Sequence, residues 1–386
     1  MKKKRLRPPF YILLLIIFVI IIWVINSKPK EELNIGMINE NIVVDISDIS
    51  INLSVIGDIM CHNTQYNDAY KNGKYDFSYV FEDIKQYIQN ADLSIGNLET
   101  TFAGPKIGYS SYPTFNTPEA MAVDLKELGI DVLSTANNHS LDKGYTGIVN
   151  TIQELDKIGI NHTGTYSSKE DASKILMLDV KGIKIAFLAY TYGTNGIPVP
   201  SGKDYCINLI NDEKIITDLQ KAKELNPDLI TVNMHWGIEY SQNPSKEQER
   251  LAALLFENGA DLILGSHPHV LQKMEKRQIT LKDGTQKDGF IIYSLGNFIS
   301  GQVKNYTKQS AILDIGITKN GKTGKMSIDK INYTPIYMSK IGKYKLLDIE
   351  NEILKYEQNK TSNQGLYNTL KTEVSHIYKI LGNEIN

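Results

Sequence analysis

The chain has 386 residues, enough for one large or two ordinary domains with a sizeable core, and a formal charge of −2. Five basic residues precede the first apolar run, so the remainder carries about −7, which argues against a nucleic-acid partner. Two cysteines, Cys61 and Cys206, exclude a disulfide framework and leave one bridge open.

The run FYILLLIIFVIIIWVI, Phe10 to Ile25, sits inside a charge-free stretch from Pro8 to Ser27 and follows Lys2, Lys3, Lys4, Arg5 and Arg7. A cleaved signal peptide shares the basic flank and apolar core. No small-x-small site follows the run, which favours an uncleaved signal anchor with a cytoplasmic N-terminus. The expected organisation is a basic tail (1–9), a transmembrane anchor (10–26), a linker (27–50), a main domain (51–340) and a C-terminal helical segment (341–386). The main domain would then face outward from the cell membrane, held to lipid by a single pass.

From Ile51 a β-α-β-α rhythm begins: INLSVIGD, SYVFEDIKQYIQNA, DLSIGNLE, PEAMAVDLKELG, IDVLSTANNHS and YTGIVNTIQELDKIG. It continues with strands at 183–191 and 229–237, helices near 211–225 and 245–257, and the strand of DLILGSHPHV. Nearly continuous apolar strands imply sheets covered on both faces. Residues 270 to 336 read as further strands, with KDGTQKDG and TKNGKTGK as hairpin turns. The phosphate-loop pattern GITKNGKT (316–323) is a decoy, because an alternating strand and no helix follows it.

In α/β sheets, sites form at the C-terminal ends of strands. Five strand ends here deliver Asp58, Asn97 with Glu99, Asn138 with His139 and Asp142, His235, and His267 with His269. His62 follows the first of them, so five of the seven histidines fall at strand ends. Taken singly, each residue has an ordinary structural role, as an Asx turn, a cap or a loop charge. Together, several imidazoles and oxygens suit Zn, Mn, Fe or Ni, and two ions better than one. Pro268 biases His267 toward an extended backbone, which would place His267 and His269 on one side, ~6.5 Å apart.

The blocks VIGDIM, IGNLET, YPTFNTPEAMAVDLKELGIDVLSTANNHSLDKG, HWGIEY, SHPHVLQ and IIYSLGNFI resemble the CapA capsule-biosynthesis family, linked to poly-γ-glutamate, within the calcineurin-like metallophosphoesterases. The resemblance implies an α/β/β/α sandwich of two mixed sheets and two divalent metals of the Mn, Zn or Fe class. Carried over by motif, Asp58, Asn138, His235, His267 and His269 would be metal ligands, and His139 a general acid or transition-state stabiliser. Asp142 would orient His139, by the present reading alone. Three departures stand out: Met60 replaces the histidine of Asp-x-His, with His62 two residues late; Asn97, or Glu99 with a longer reach, replaces a bridging aspartate; and Ser266 displaces the glycine of Gly-His-x-His. Two functions stay open. One is a metal-dependent hydrolase acting on a phosphoester or an anionic surface polymer; the other is a non-catalytic metal- or polymer-binding component of a membrane polymer synthase.

Overall fold

The computed structural model describes residues 47–281, 284–359 and 361–382. The expected anchor (10–26), the basic tail and most of the linker lie outside the described residues. Among the described residues no helix is long and apolar enough to cross a membrane.

Two mixed sheets carry the fold. The first begins with β1 (Ile49–Ile59), β2 (Leu93–Leu98), β3 (Val132–Ser134) and β4 (Asn161–Thr163), paired in parallel in that order. The chain then builds the second sheet from β5 (Leu176–Val180), β6 (Ile183–Thr191), β7 (Leu229–His235), β8 (Leu262–Ser266), β9 (Met274–Thr280) and β10 (Gln286–Ile292), ordered β9-β10-β8-β7-β6-β5. Its central strands β6, β7, β8 and β10 run parallel and its two edges antiparallel. Finally β11 (Asn297–Ile299), β12 (Gln309–Lys319), β13 (Met326–Ser339) and β14 (Lys345–Asp348) return to the first sheet, where β12 pairs antiparallel with β1 and β11 pairs parallel with it.

Alternation along the strands explains the layering. Ile51, Leu53 and Val55 of β1, with Leu93 and Ile95 of β2, share one buried apolar core with Ile185 and Phe187 of β6 and Leu262 and Leu264 of β8. Ile56 and Ile59 enter a second core with Met121 and Leu125 of α1 (Ala120–Leu128) and Leu155 of α2 (Gly144–Ile158). The second sheet turns Ala186, Val232 and Ile263 toward α3 (Asp212–Glu224) and α4 (Lys246–Glu257). Each fully buried aliphatic side chain contributes about 1.5–3 kcal/mol. These cores therefore hold the strand ends at fixed heights relative to one another.

Several details differ from expectation. The SYVFEDIKQYIQNA stretch winds as a 3-10 turn at Ser78–Val80 and a short helix at Lys85–Gln89, although Phe77, Phe81, Ile84 and Ile88 still bury one face. β1 starts at Ile49, inside the expected linker. Lys345–Asp348, expected to be helical, is an edge strand. The helices after it, α5 (Ile349–Glu357) and α6 (Gln364–Leu381), belong to the core shared by the sheets through Ile353, Leu370 and Ile377. β5 and β14 are short sheet-edge segments, so their alternation leaves a weak trace in sequence. GITKNGKT runs from the end of β12 into the turn before β13, a hairpin with no helix behind it.

Candidate metal centre

The register of the sheets gathers the polar strand ends. Asp58 lies opposite Asn97 on one side and Asn297 on the other, and Asn97 lies opposite Ser134. In the second sheet His235 lies between Thr191 and Ser266. Gly57 is what lets β11 close against β1, since a Cβ there would sit 2.0 Å from the Gly296 carbonyl oxygen. The Asp58 N–H donates to that same carbonyl at 2.9 Å. Gly265 has the same role in the second sheet, with its Cβ position 2.0 Å from the Tyr293 carbonyl oxygen.

Asp58 is fully buried. Its Oδ1 accepts from Asn97 Nδ2 at 2.8 Å, and its Oδ2 accepts from the His267 N–H at 3.3 Å and lies 3.2 Å from His269 Nδ1. His235 is equally buried, with Nδ1 2.9 Å from Ser266 Oγ and Nε2 2.8 Å from Asn138 Oδ1. Glu99 sits between the imidazoles: its Oε1 is 3.6 Å from His235 Nε2 and 3.8 Å from His269 Nε2.

Glu99 is fully buried, yet neither of its carboxylate oxygens has a hydrogen-bond partner. Asn97 Oδ1 and His267 Nδ1 are likewise buried and unpartnered. An orphaned buried polar atom costs about 1–3 kcal/mol, more when charged, so four in one cluster form a donor set suited to a cation. Two sets of donor atoms each lie within 4.8 Å of one another, Glu99 with His267 and His269, and Asp58 with Glu99 and His235. Glu99 is common to both. Carboxylate and imidazole donors of this kind fit a divalent ion of the Mn, Zn or Fe class.

The electrostatics point the same way. Burial drives the Glu99 carboxyl well above its ordinary range, and the charges of Asp58, Glu239 and Asp142 push it further. Burial also holds His235 well below the usual imidazole range and His267 down to about 3, each helped by the neighbouring histidines. These rings are neutral at pH 7, the form that ligates metal.

His267 and His269 do converge, with ring centroids 5.9 Å apart, but not along an extended strand. Their φ angles are +98° and +61°, so the expected extended geometry is corrected to a left-handed one. The reason is tertiary: the His267 N–H reaches across to Asp58 while the Pro268 carbonyl accepts from the Tyr240 N–H at 2.8 Å. Non-glycine residues held there store about 1–3 kcal/mol each, a cost the surrounding bonds offset.

His139 and Asp142 stand beside these groups rather than in them. His139 Nδ1 is 2.7 Å from Asp142 Oδ2, which also accepts from the Phe115 N–H at 2.6 Å. His62 is engaged elsewhere: its Nδ1 accepts from the Gly301 N–H at 3.0 Å, and it joins neither donor set. Cys61 and Cys206 are both free and buried.

Three neighbours escaped the sequence reading. Asn297 Oδ1 lies 3.0 Å from His269 Nδ1, and the GNF after a strand end, within the block IIYSLGNFI, was its available signal. Asn195 accepts from Asn138 Nδ2 at 3.0 Å and brings its own amide nitrogen to 3.4 Å from His139 Nε2. Tyr192, 48% exposed, stands over His235 and His267, with ring centroids 6.3 and 4.5 Å away. Both follow the end of the strand at 183–191, where the strand-end rule applies, but residues 192–200 carry no charged or imidazole side chain to mark them.

Residues 52–302 match the family described as "Bacterial capsule synthesis protein PGA_cap". The chain belongs to this family. The PGA_cap match spans every residue of the centre from Asp58 to Asn297 and ends before β12. The capsule biosynthesis protein CapA of Bacillus anthracis is 31% identical over 278 residues, covering 70% of this chain and 65% of that protein. This chain thus spans about two thirds of that relative's length. The PGA biosynthesis protein CapA of Bacillus subtilis (strain 168) is 30% identical over 290 residues, covering 74% and 72%. Solved structures similar to this PGA_cap chain include the calcineurin-like phosphoesterase YfkN of Bacillus subtilis, 14% identical over 84% of this chain and 99% of that one, TM-score 0.45. Another is the NAD nucleotidase of Haemophilus influenzae, 14% identical over 86% and 61%, TM-score 0.46.

Proposed function

We propose that this chain is a membrane-anchored, outward-facing protein of capsule production, acting on poly-γ-glutamate or a related anionic surface polymer, with a two-metal hydrolytic centre of phosphoesterase type. Family membership supports the capsule context, and the apolar run 10–26 behind its basic flank supports the anchor. A capsule role also implies neighbours among the membrane-embedded components of the polymer synthase. The observation that carries the hydrolytic reading is the Glu99 carboxylate, buried, unpartnered and common to two donor sets.

Asp58, Glu99 and His235 would hold one cation, and Glu99, His267 and His269 the other, with Asn97 and Asn138 offering amide oxygens nearby. When bound, such ions polarise the scissile group and supply a water nucleophile at neutral pH. The chain's own residues do the rest. Asp142 fixes the His139 ring through Nδ1, leaving Nε2 on the side of Asn195 to hold or deliver a proton to a leaving group. Asn195 holds the Asn138 amide so that its oxygen faces His235. Tyr192 covers two imidazoles and limits water access.

A non-catalytic scaffold is the second reading, and Asn97 favours it: a neutral amide donates to Asp58 at the position where the resemblance implies a bridging carboxylate. Hydrolysis of a phosphodiester panel and of poly-γ-glutamate by the metal-loaded full chain separates the two. The hydrolase reading expects turnover that His139→Ala lowers by about 10²–10⁴-fold without loss of metal. Full metal content with no turnover of any substrate leaves the scaffold.

A further inference from the structure

Beyond His269 a second cleft opens, with a volume of about 650 Å³, between Tyr240, Gln242 and Asn243 of the segment after β7 and Lys304, Asn305 and Tyr306 of the segment after β11. Both walls are tied to the metal-centre loops. The Tyr240 N–H donates to the Pro268 carbonyl between the two histidines, and the Tyr240 ring lies 6.0 Å from that of His269. On the other wall Asn297, which meets His269 through Oδ1, donates its Nδ2 to Gln302 Oε1 at 3.0 Å and to the Thr307 carbonyl at 2.9 Å. His376 of α6 links the walls, stacking on Tyr306 at 4.0 Å and placing Nε2 3.0 Å from Gln242 Nε2.

The lining is chemically one-sided. Lys304 Nζ rests 3.5 Å from the Tyr240 ring centroid, and no carboxylate of the described residues pairs with it. Side-chain amides supply further N–H donors, and no acid is among the lining residues; the nearest in sequence, Glu239, accepts from the Tyr240 hydroxyl, so the ammonium and the amides rather than that hydroxyl are the donors free for a ligand. In a domain of net negative charge, an unpaired ammonium among amides and phenols is suited to anionic oxygens.

We infer that this cleft is a subsite for an anionic group, carboxylate or phosphate, carried by the same molecule that reaches the metal centre, with Lys304 and Tyr240 as its specificity residues. The inference rests on the hydrolytic reading above and deepens it, because a ligand engaging both places is a chain with repeated anionic groups rather than a single small ester.

The test uses the full chain in detergent after chelator treatment, so that its outcome does not depend on bound metal. Titration calorimetry at low ionic strength measures triglutamate in one arm and tripolyphosphate in the other. Saturable binding by at least one probe is expected, weakened about fivefold by Lys304→Gln, at the upper end for an exposed ion pair. Lys304→Arg should restore it and Tyr240→Ala should weaken it; the preferred probe identifies carboxylate or phosphate. Equal affinity in wild type and Lys304→Gln, or no saturable binding by either probe, overturns the inference. Metal content of the same preparation before chelation judges the metal centre separately.

Discussion

Replacing Glu99 with glutamine should make the metal-free protein more stable at neutral pH and deprive it of stabilisation by metal. The Glu99 carboxyl is buried, unpartnered and raised well above its ordinary range in the folded chain. The folded state therefore binds its proton more tightly than the unfolded state. Its favourable contribution is complete below the unfolded pKa of about 4.3 and is lost as pH rises toward the folded value, at about 1.4 kcal/mol per pH unit. His235, His267 and His62 act in the opposite sense, because burial lowers all three, His267 to about 3 and His62 to about 4. Their contribution is complete above about pH 6.5 and is lost as pH falls, also at about 1.4 kcal/mol per unit for each. Glu99→Gln removes only the first slope. Calorimetry in chelator from pH 4.5 to 8 should show the variant gaining on wild type as pH rises. In excess Mn²⁺ or Zn²⁺ the order should reverse, because wild type gains stability in proportion to metal binding and the variant has lost the shared ligand. A metal-free variant less stable than wild type at pH 7, or one stabilised by metal to the wild-type extent, refutes the reasoning.

Other outcomes follow from the same geometry. Asp142→Asn should lower turnover while leaving metal content unchanged, since Asp142 bonds His139 and the Phe115 N–H but belongs to neither donor set; kinetics paired with elemental analysis checks this. Gly57→Ala should destabilise the fold by several kcal/mol, on the order of other severe overpacking substitutions, because its methyl would lie 2.0 Å from the Gly296 carbonyl oxygen; a thermal melt reads the loss. Asn195→Ala should weaken metal retention by about 10-fold, the lower end for residues that orient ligands, read by competition with a chelating dye. Deleting residues 1–27 should move the protein from the membrane fraction to the soluble one, checked by fractionation.

The strands and the centre they support were legible to different degrees. Long apolar segments such as IKIAFLAYT and LITVNMH declare themselves, and in a parallel sheet their C-terminal ends must share an edge, which is why His235 and His267 could be paired from sequence. The choice between Asn97 and Glu99 could not be made there. It depends on β2 ending opposite Asp58, so that Asn97 bonds Asp58 and Glu99 alone reaches both His235 and His269. The left-handed backbone at His267 and His269 ran against the local preference set by Pro268, since tertiary bonds to Asp58 and Tyr240 outweigh it. Asn195 and Tyr192 belong to a loop whose position is set by the second sheet and not by any pattern within it.

In the proposed centre Glu99 joins two cation sites. Elemental analysis of the purified full chain, wild type beside Glu99→Ala, tests that most directly. Two equivalents of a transition metal in wild type, with both lost or greatly weakened in the variant, is the predicted result. Wild type without stoichiometric metal, or a variant that retains both equivalents, would contradict it.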